Sequence, residues 1–354
     1  MWPKVKHQFR VGFSALLLVV GVCIAVLLVD FFKKENLFHL KLLERYELTN
    51  ATSHDHKDKE SIRVVLFGDS GSGGVMQEQV AKSMWSTCHT KTCDFAIGLG
   101  DNFYPAGVSS LTDPQWMSAF LEPYKPFITE SRTDFWMVVG NHDRRGSINA
   151  QIKYSSLSPT WRMPAPDYGI PNLPDWLGIY VLDTSFIAPG SDFPPYQRDM
   201  ELNFAKQLAR AKDYLCDRPG WRIIATHHPL YSSGARHNSF RESNLRSALM
   251  PFVKECGVNL VFSGHEHHQQ HLSANWGDMV IQGAASSTRI RSKPLAAGDE
   301  IASEFLVYQP GFAVLEISSA EIKVAFYNHK KFQMYASRIH RKERSVVGAA
   351  LLAH

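Results

Sequence analysis

Five short apolar runs in this 354-residue chain each empty into residues that can bind metal. Val64-Val65-Leu66-Phe67 runs into Gly68-Asp69-Ser70-Gly71, and Phe95 to Leu99 runs into Gly100-Asp101-Asn102-Phe103-Tyr104. Phe135 to Val139 is followed by Gly140-Asn141-His142-Asp143, and Trp221 to Ala225 by Thr226-His227-His228-Pro229. Val258 to Phe262 leads into Ser263-Gly264-His265-Glu266-His267-His268. Oxygen and imidazole donors of this kind suit a pair of multivalent cations, with at least one carboxylate between them to offset their mutual repulsion. The candidate ligands are Asp69, Asp101, Tyr104, Asn141, His227, His265 and His267. His265 and His267 are close enough in sequence to reach one site from a single turn. One Gly-Asp or Gly-His pair is ordinary turn chemistry. Five strand ends of the same character point to a shared centre.

A buried strand that ends in a loop delivers its polar residues to the carboxyl edge of a sheet, where open α/β folds bind ligands. The segments between the runs supply the matching helices: Phe204, Leu208, Ala211 and Leu215 line one helical face, and Leu245, Leu249, Val253 and Cys256 another. Strands alternating with helices predict βα units, mainly parallel pairing and an α/β class. Beyond the His-rich loop, Met279 to Ile281 reads as a strand and residues 289–304 as an irregular loop. Residues 312–317, 322–326 and 332–337 read as a closing antiparallel meander. The stretch 144–176, rich in proline and aromatic residues, reads as a long loop of the kind that usually serves function.

A composition of 44% hydrophobic and 20% charged residues is that of a globular protein. The formal charge of +4 comes without a basic stripe, which argues against a nucleic-acid partner. Lys4, Lys6, His7 and Arg10 precede an uncharged run from Val11 to Val29, about 19 residues and so long enough to cross a bilayer as a helix. No Ala-x-Ala site follows it, so the run reads as an uncleaved transmembrane signal anchor. Residues 1–10 are then cytoplasmic, and the rest of the chain is lumenal, extracellular or periplasmic; secretion after signal cleavage is the alternative. Residues 30–60 read as a juxtamembrane linker carrying a glycosylation sequon at Asn50-Ala51-Thr52, and His54-Asp55-His56 within it as a solvated polar run. The globular domain is expected over 61–340, with a tail over 341–354. Of the cysteines, Cys88 and Cys93 flank a short polar loop that they could close. Cys216 and Cys256 each end a helical pattern just before a strand, and could pair if those strands are neighbours.

As a set, GDSG, GDNFY, GNHD, HHP and GHEH resemble the five-block signature of the calcineurin-like metallophosphoesterases. The tyrosine of GDNFY narrows the resemblance to the purple acid phosphatases, and the block spacing from Ser61 to Ser337 to their small, tartrate-resistant type; Trp161-Arg162-Met163-Pro164 has a similar counterpart there. The resemblance implies a four-layer α-β-β-α sandwich, two mixed sheets face to face with helices outside. It implies a binuclear metal centre in which Asp69, Tyr104 and His267 hold Fe(3+) and Asp101 bridges to a divalent Fe, Zn or Mn held by Asn141, His227 and His265. His227 is preferred to His228 because the family's ligand lies two residues before the proline. The implied reaction is phosphomonoester hydrolysis by in-line attack of a metal-bound hydroxide, sustained at acidic pH. His142 is the best candidate to stabilise the phosphate or protonate the leaving oxygen, and His237 the second. His228, His268 and His271 read as supporting or surface groups. The N-terminal transmembrane helix departs from the secreted members, and residues 289–304 do not obviously match.

The expected partners are a phosphate monoester substrate and, through the N-terminal helix, a membrane. One rival reading is a phosphodiesterase or nucleotide pyrophosphohydrolase on the same metals, with Trp161, Tyr168 and Trp176 as candidates for a base pocket. Another is a non-catalytic membrane-anchored scaffold with a phosphatase fold, whose expected mark is a lost ligand. Every ligand position is filled here.

Overall fold

The computed structural model describes residues 53–186, 197–236, 239–290, 295 and 300–342. In chain order its strands and helices are β1 (Ser61–Phe67), α1 (Val75–Thr90), β2 (Phe95–Gly98), β3 (Asp134–Met137), α2 (Ile148–Tyr154), β4 (Trp161–Arg162), β5 (Tyr168–Gly169), β6 (Leu177–Val181), α3 (Gln197–Leu215) and β7 (Trp221–Ala225). There follow α4 (Phe240–Cys256), β8 (Leu260–Ser263), β9 (Gln269–Ala274), β10 (Gly277–Gln282), β11 (Ile301–Val307), β12 (Gly311–Ser318), β13 (Glu321–Asn328) and β14 (Gln333–His340). The five apolar runs are β1, β2, β3, β7 and β8. Each is buried on both faces, which is why it reads as a continuous apolar stretch rather than an alternating one.

The strands form two mixed sheets, β14-β13-β12-β1-β2-β3-β4 and β11-β9-β10-β8-β7-β6-β5. In the first, β1 to β4 run parallel, and β12 to β14 add the expected antiparallel meander against β1. In the second, β6, β7, β8 and β10 are parallel, β5 and β9 pair antiparallel to β6 and β10, and β11 pairs antiparallel to β9. The sheets meet face to face, with Trp221 Nε1 donating to the Ser318 carbonyl at 2.7 Å and Gln282 Nε2 to the Gly311 carbonyl at 2.8 Å. Phe204, Ala211 and Leu215 of α3 and Leu245, Leu249 and Val253 of α4 pack on Tyr180, Ile224, Val261 and Ile281 of the second sheet. Each such leucine, fully buried, contributes on the order of 2 kcal/mol. On the first sheet, α1 lies against β12 and buries Val80, Ala81 and Met84, and single π-helical turns set Phe120 and Phe127 edge-on to Phe135. The result is helix, sheet, sheet, helix.

Local chemistry starts and stops the elements as read. Ser239 Oγ accepts the Glu242 amide at 3.3 Å to open α4, and Gly257 at φ 60° ends it in the left-handed conformation. β7 and β8 are parallel neighbours, which brings Cys216 and Cys256 to a Cα separation of 4.4 Å in a disulfide. Cys88 and Cys93 close their short loop in a second disulfide.

Three expectations change, and one strand is new. Gln269-Gln270-His271 opens a strand, β9, that carries no apolar alternation; Gln270 is buried against Ser233 and Ser303, and His271 against Tyr335 and Asp278. The end of the expected irregular loop 289–304 is the start of β11, which pairs with β9. The stretch 144–176 is not an open loop: it contains α2, β4 and β5, and it buries Trp161, Met163 and Tyr168. The end of the expected linker is docked, with His54 Nδ1 at 3.0 Å from Asp134 Oδ2 and the buried His56 donating its amide to the Asn172 carbonyl at 2.9 Å. The expected anchor at 11–29, the sequon and most of the tail lie outside the described residues, among which no helix is long and apolar enough to cross a membrane.

Candidate metal centre

At the carboxyl ends of the strands the chain turns abruptly. Asp69, Asp101 and His265 sit at φ 56°, 52° and 67°, a left-handed conformation that costs a non-glycine residue roughly 1–2 kcal/mol. Such strain persists where the surroundings over-determine it. Here they do: Asp69 Oδ2 accepts the His265 amide at 2.7 Å, and Asp101 Oδ1 accepts the His142 amide at 2.8 Å. Gly140 is required by the same crowding, since a Cβ there would lie 2.1 Å from the Asp101 nitrogen.

The seven expected ligands form two overlapping groups. Tyr104 Oη lies 3.0 Å from Asp69 Oδ1, 3.0 Å from Asp101 Oδ2 and 3.4 Å from His267 Nε2, and His267 Nε2 is 3.3 Å from Asp69 Oδ1. His227 Nε2 lies 3.2 Å from Asn141 Oδ1, 3.2 Å from His265 Nδ1 and 3.4 Å from Asp101 Oδ1. Asp101 thus turns one oxygen to each group. The outward nitrogens are occupied: His227 Nδ1 is 2.8 Å from the Leu99 carbonyl, which can only accept, so Nδ1 carries the proton and Nε2 presents its lone pair. His267 Nδ1 is 2.8 Å from Ser287 Oγ.

The charges fit cations. Asp69 and Asp101 are buried, and among the described residues neither pairs with a lysine or arginine. Burial pushes the Asp69 carboxyl up, but the hydrogen bond and charge of His267 outweigh it and hold it below the usual range. Burial and the flanking Asp69 and Asp101 carboxylates push the Tyr104 phenol well up, so a phenolate there needs positive charge beside it. Burial and then the His228 and Arg236 charges hold the His265 imidazole well down, in the neutral form that can ligate. These donors suit a hard trivalent ion on the Tyr104 side and an N/O-loving divalent ion on the other.

The calcineurin-like phosphoesterase family profile matches residues 62–269. Tartrate-resistant acid phosphatase type 5 of Sus scrofa is 30% identical over 290 residues, covering 75% of this chain and 81% of that protein. The chain belongs to the calcineurin-like phosphoesterases, in their purple acid phosphatase branch. This phosphoesterase is also 29% identical over 295 residues to Purple acid phosphatase 3 of Arabidopsis thaliana, across 77% of its own chain and 76% of that one. Among solved structures it is similar to GAP50, described as the anchor in the inner membrane complex of Plasmodium. That match has a TM-score of 0.67 and 25% identity, over 81% of this chain and 91% of that one.

Around the phosphoesterase centre, His142 stands at the mouth, its side chain 22% exposed and its ring edge-on to Tyr104 at 4.6 Å. His237 lies outside the described residues. His228, only 3% exposed, bonds to Thr184 Oγ1 at 2.9 Å and packs its ring 4.4 Å from His265. Burial holds the His268 imidazole down to about 4, and His271 is buried between Tyr335 and Asp278; neither is a surface group. The suggested base pocket does not form: Trp161 packs among Phe103, Trp116 and Phe120, and Tyr168 Oη donates to the Met137 carbonyl at 2.9 Å.

Sequence reasoning passed over Asp143, the last residue of GNHD. Fully buried, it accepts from the Gly140 amide at 2.8 Å, the Asn102 amide at 3.1 Å, Asn102 Nδ2 at 3.1 Å and Gln151 Nε2 at 3.2 Å. It ties the loop of Asp101 to the loop of Asn141. Its only sequence signal is an acid that directly follows two candidate site residues.

Proposed function

We propose that this phosphoesterase is a membrane-anchored acid phosphatase that hydrolyses phosphomonoesters at a binuclear centre of Fe(3+) and a divalent Fe, Zn or Mn. The observation that carries the reading is Asp101, whose two oxygens face two separate donor groups, with Tyr104 capping one of them. Asp69, Tyr104 and His267 would hold the ferric ion, Asn141, His227 and His265 the divalent one, and Asp101 would touch both. Bound there, the ions would polarise the phosphoryl oxygens and supply a water of lowered pKa as nucleophile.

The chain's own residues orient substrate and move protons. His142 Nδ1 is 2.7 Å from the Pro105 carbonyl and must donate to it, which fixes the ring and leaves Nε2, 3.9 Å from Asp101 Oδ2, to hold or release a proton at the mouth. When protonated, Nε2 can pass its proton to the leaving oxygen, a role worth roughly 10²–10⁴-fold in rate. The Tyr104 ring packs edge-on against the imidazole and keeps it over the centre.

Metal analysis and the visible spectrum of purified protein, with hydrolysis of p-nitrophenyl phosphate and its bis ester, test this together. Iron, a visible band and preference for the monoester are expected. Colourless, iron-loaded protein would sink the ferric assignment, and preference for the bis ester would sink the monoesterase reading. The likeness to GAP50 favours a second reading, an anchored scaffold without turnover. Against it stands the complete ligand set, and metal-loaded protein that hydrolyses neither ester would favour the scaffold.

Anchoring is proposed through residues 11–29, with the domain on the non-cytoplasmic side. Two disulfides support this, since such bonds persist in oxidising compartments. Protease that digests the domain from the cytoplasmic face of sealed vesicles would refute it.

A further inference from the structure

The loop between β7 and α4 is fastened to the metal loop at residues that neither the ligand set nor His142 uses. Glu266 stands between His265 and His267, only 2% exposed, and its Oε1 accepts the Arg236 amide at 2.8 Å. A Cβ at residue 234 would lie 2.2 Å from Glu266 Oε2, so glycine there lets the loop backbone settle onto the carboxylate. The side chain of Arg236 turns back the same way, and its guanidinium donates to the His265 carbonyl at 3.0 Å. Backbone and side chain of one residue are therefore both tied to the turn that carries two metal ligands.

The guanidinium is fixed without being buried. Its side chain is 32% exposed, and the carboxylate it approaches, Glu266 Oε2 at 4.0 Å, is the one pressed against Gly234. Contacts run from His142 through Asp101 and His227 to His265 at 3.9, 3.4 and 3.2 Å, and then from the His265 carbonyl to Arg236 at 3.0 Å. Arg236 thus adjoins the ligand cluster at His265, and His142 adjoins it at Asp101. An arginine held this way is a permanent positive charge with a planar fork matched to phosphoryl oxygens.

We infer that Arg236 is a specificity-determining residue that selects dianionic phosphomonoesters over monoanionic diesters, an inference that rests on the phosphatase reading above. Near neutral pH a monoester presents three non-bridging oxygens and two charges, whereas a diester presents two oxygens and one charge. A cation fixed beside the metal pair acts more strongly on the first than on the second.

The test uses the metal-loaded full chain, with Arg236→Gln and Arg236→Lys, at pH 7, where a second phosphate pKa of about 6 leaves the monoester dianionic. Metal content of each variant separates a lost ion from a lost contact. The Gln variant should lose about 10- to 100-fold in kcat/KM for p-nitrophenyl phosphate, while its rate on bis(p-nitrophenyl) phosphate stays within about threefold. The Lys variant, which keeps the charge, should recover most of the monoester rate. Calorimetric titration with inorganic phosphate should show a matching loss of affinity in the Gln variant. Equal losses on both esters would overturn the inference and leave Arg236 as a brace for His265. Unchanged phosphate affinity, or no phosphate binding by the unaltered protein, would overturn it as well. If the unaltered protein binds phosphate but hydrolyses neither ester, the phosphatase reading falls, and the phosphate titration alone decides on Arg236.

Discussion

Replacing Asp143 with alanine asks whether the metal loops are built around one buried acid. Its carboxylate takes four hydrogen bonds, two of them from the backbone amides of Gly140 and Asn102, which adjoin the candidate ligands Asn141 and Asp101. Burial, and then the Asp101 charge, pushes its own pKa up to about 7, so part of what those bonds contribute is offset by desolvation. In the alanine variant the two amides and one Gln151 amide hydrogen face a space without an acceptor. At about 1–3 kcal/mol for each unsatisfied buried donor, three cost roughly 3–9 kcal/mol. Release of the desolvated carboxylate returns part of that, leaving a net loss of about 2–5 kcal/mol. With a urea slope of about 3 kcal/mol/M, the unfolding midpoint of the metal-free protein should fall by about 1 M. Asp143→Asn keeps the volume and one carbonyl oxygen, and the Gln151 amide can turn over to meet it, so its loss should be about half as large. Metal affinity should drop about 10- to 100-fold in the alanine variant, as for removal of other groups that orient ligands. Equilibrium unfolding followed by tryptophan fluorescence, with a metal titration, measures both. An alanine variant within about 0.2 M of the unaltered midpoint, binding metal normally, would show that the four hydrogen bonds do not organise the site.

Tyr104→Phe should bleach the visible band of the iron-loaded protein while the remaining ligands still hold divalent ions; a retained band would remove the phenolate from the centre. Asp101→Ala should lose metal and activity together, whereas His142→Ala should keep its metal and lose rate by about 100-fold or more, and full activity in either variant would cancel its role. Burial holds the His56 imidazole below its ordinary range, so the docked state takes up a proton less readily than the undocked one. The docking of residues 53–60 should therefore be fully present above pH ~6.5 and weaken as pH falls below it. Exchange of the His56 amide, bonded to the Asn172 carbonyl, reads this directly, and a pH slope that survives in His56→Leu would assign it to another group.

The candidate centre was legible because its candidate ligands are local. Each follows a strand buried on both faces, and an uninterrupted apolar run ending in glycine and a donor needs no knowledge of the partner strand. Asp69, Asp101, Tyr104, Asn141, His227, His265 and His267 meet within hydrogen-bond range because their strands lie side by side in two facing sheets. The helices α3 and α4 were legible for the same reason, as one apolar face repeats along each.

What depended on partners far along the chain stayed hidden. β9 is polar and buried because Gln270 bonds Ser233 and Ser303 and His271 bonds Asp278 and Tyr335. No periodicity within β9 records those neighbours. His54 and His56 lie in a charged stretch that looks solvated, yet they settle on Asp134 and Phe95, residues brought to that spot by β2 and β3. Cys216 and Cys256 became a pair only once β7 and β8 lay side by side. Asp143 and Arg236 take their meaning from Asn102 and His265, far from each in sequence. Sequence by itself pointed to the strand ends that meet here, because strand burial and strand-end chemistry are local properties. Tertiary structure alone decided what braces them, because a buried polar group is stable only beside a partner that the chain delivers from elsewhere.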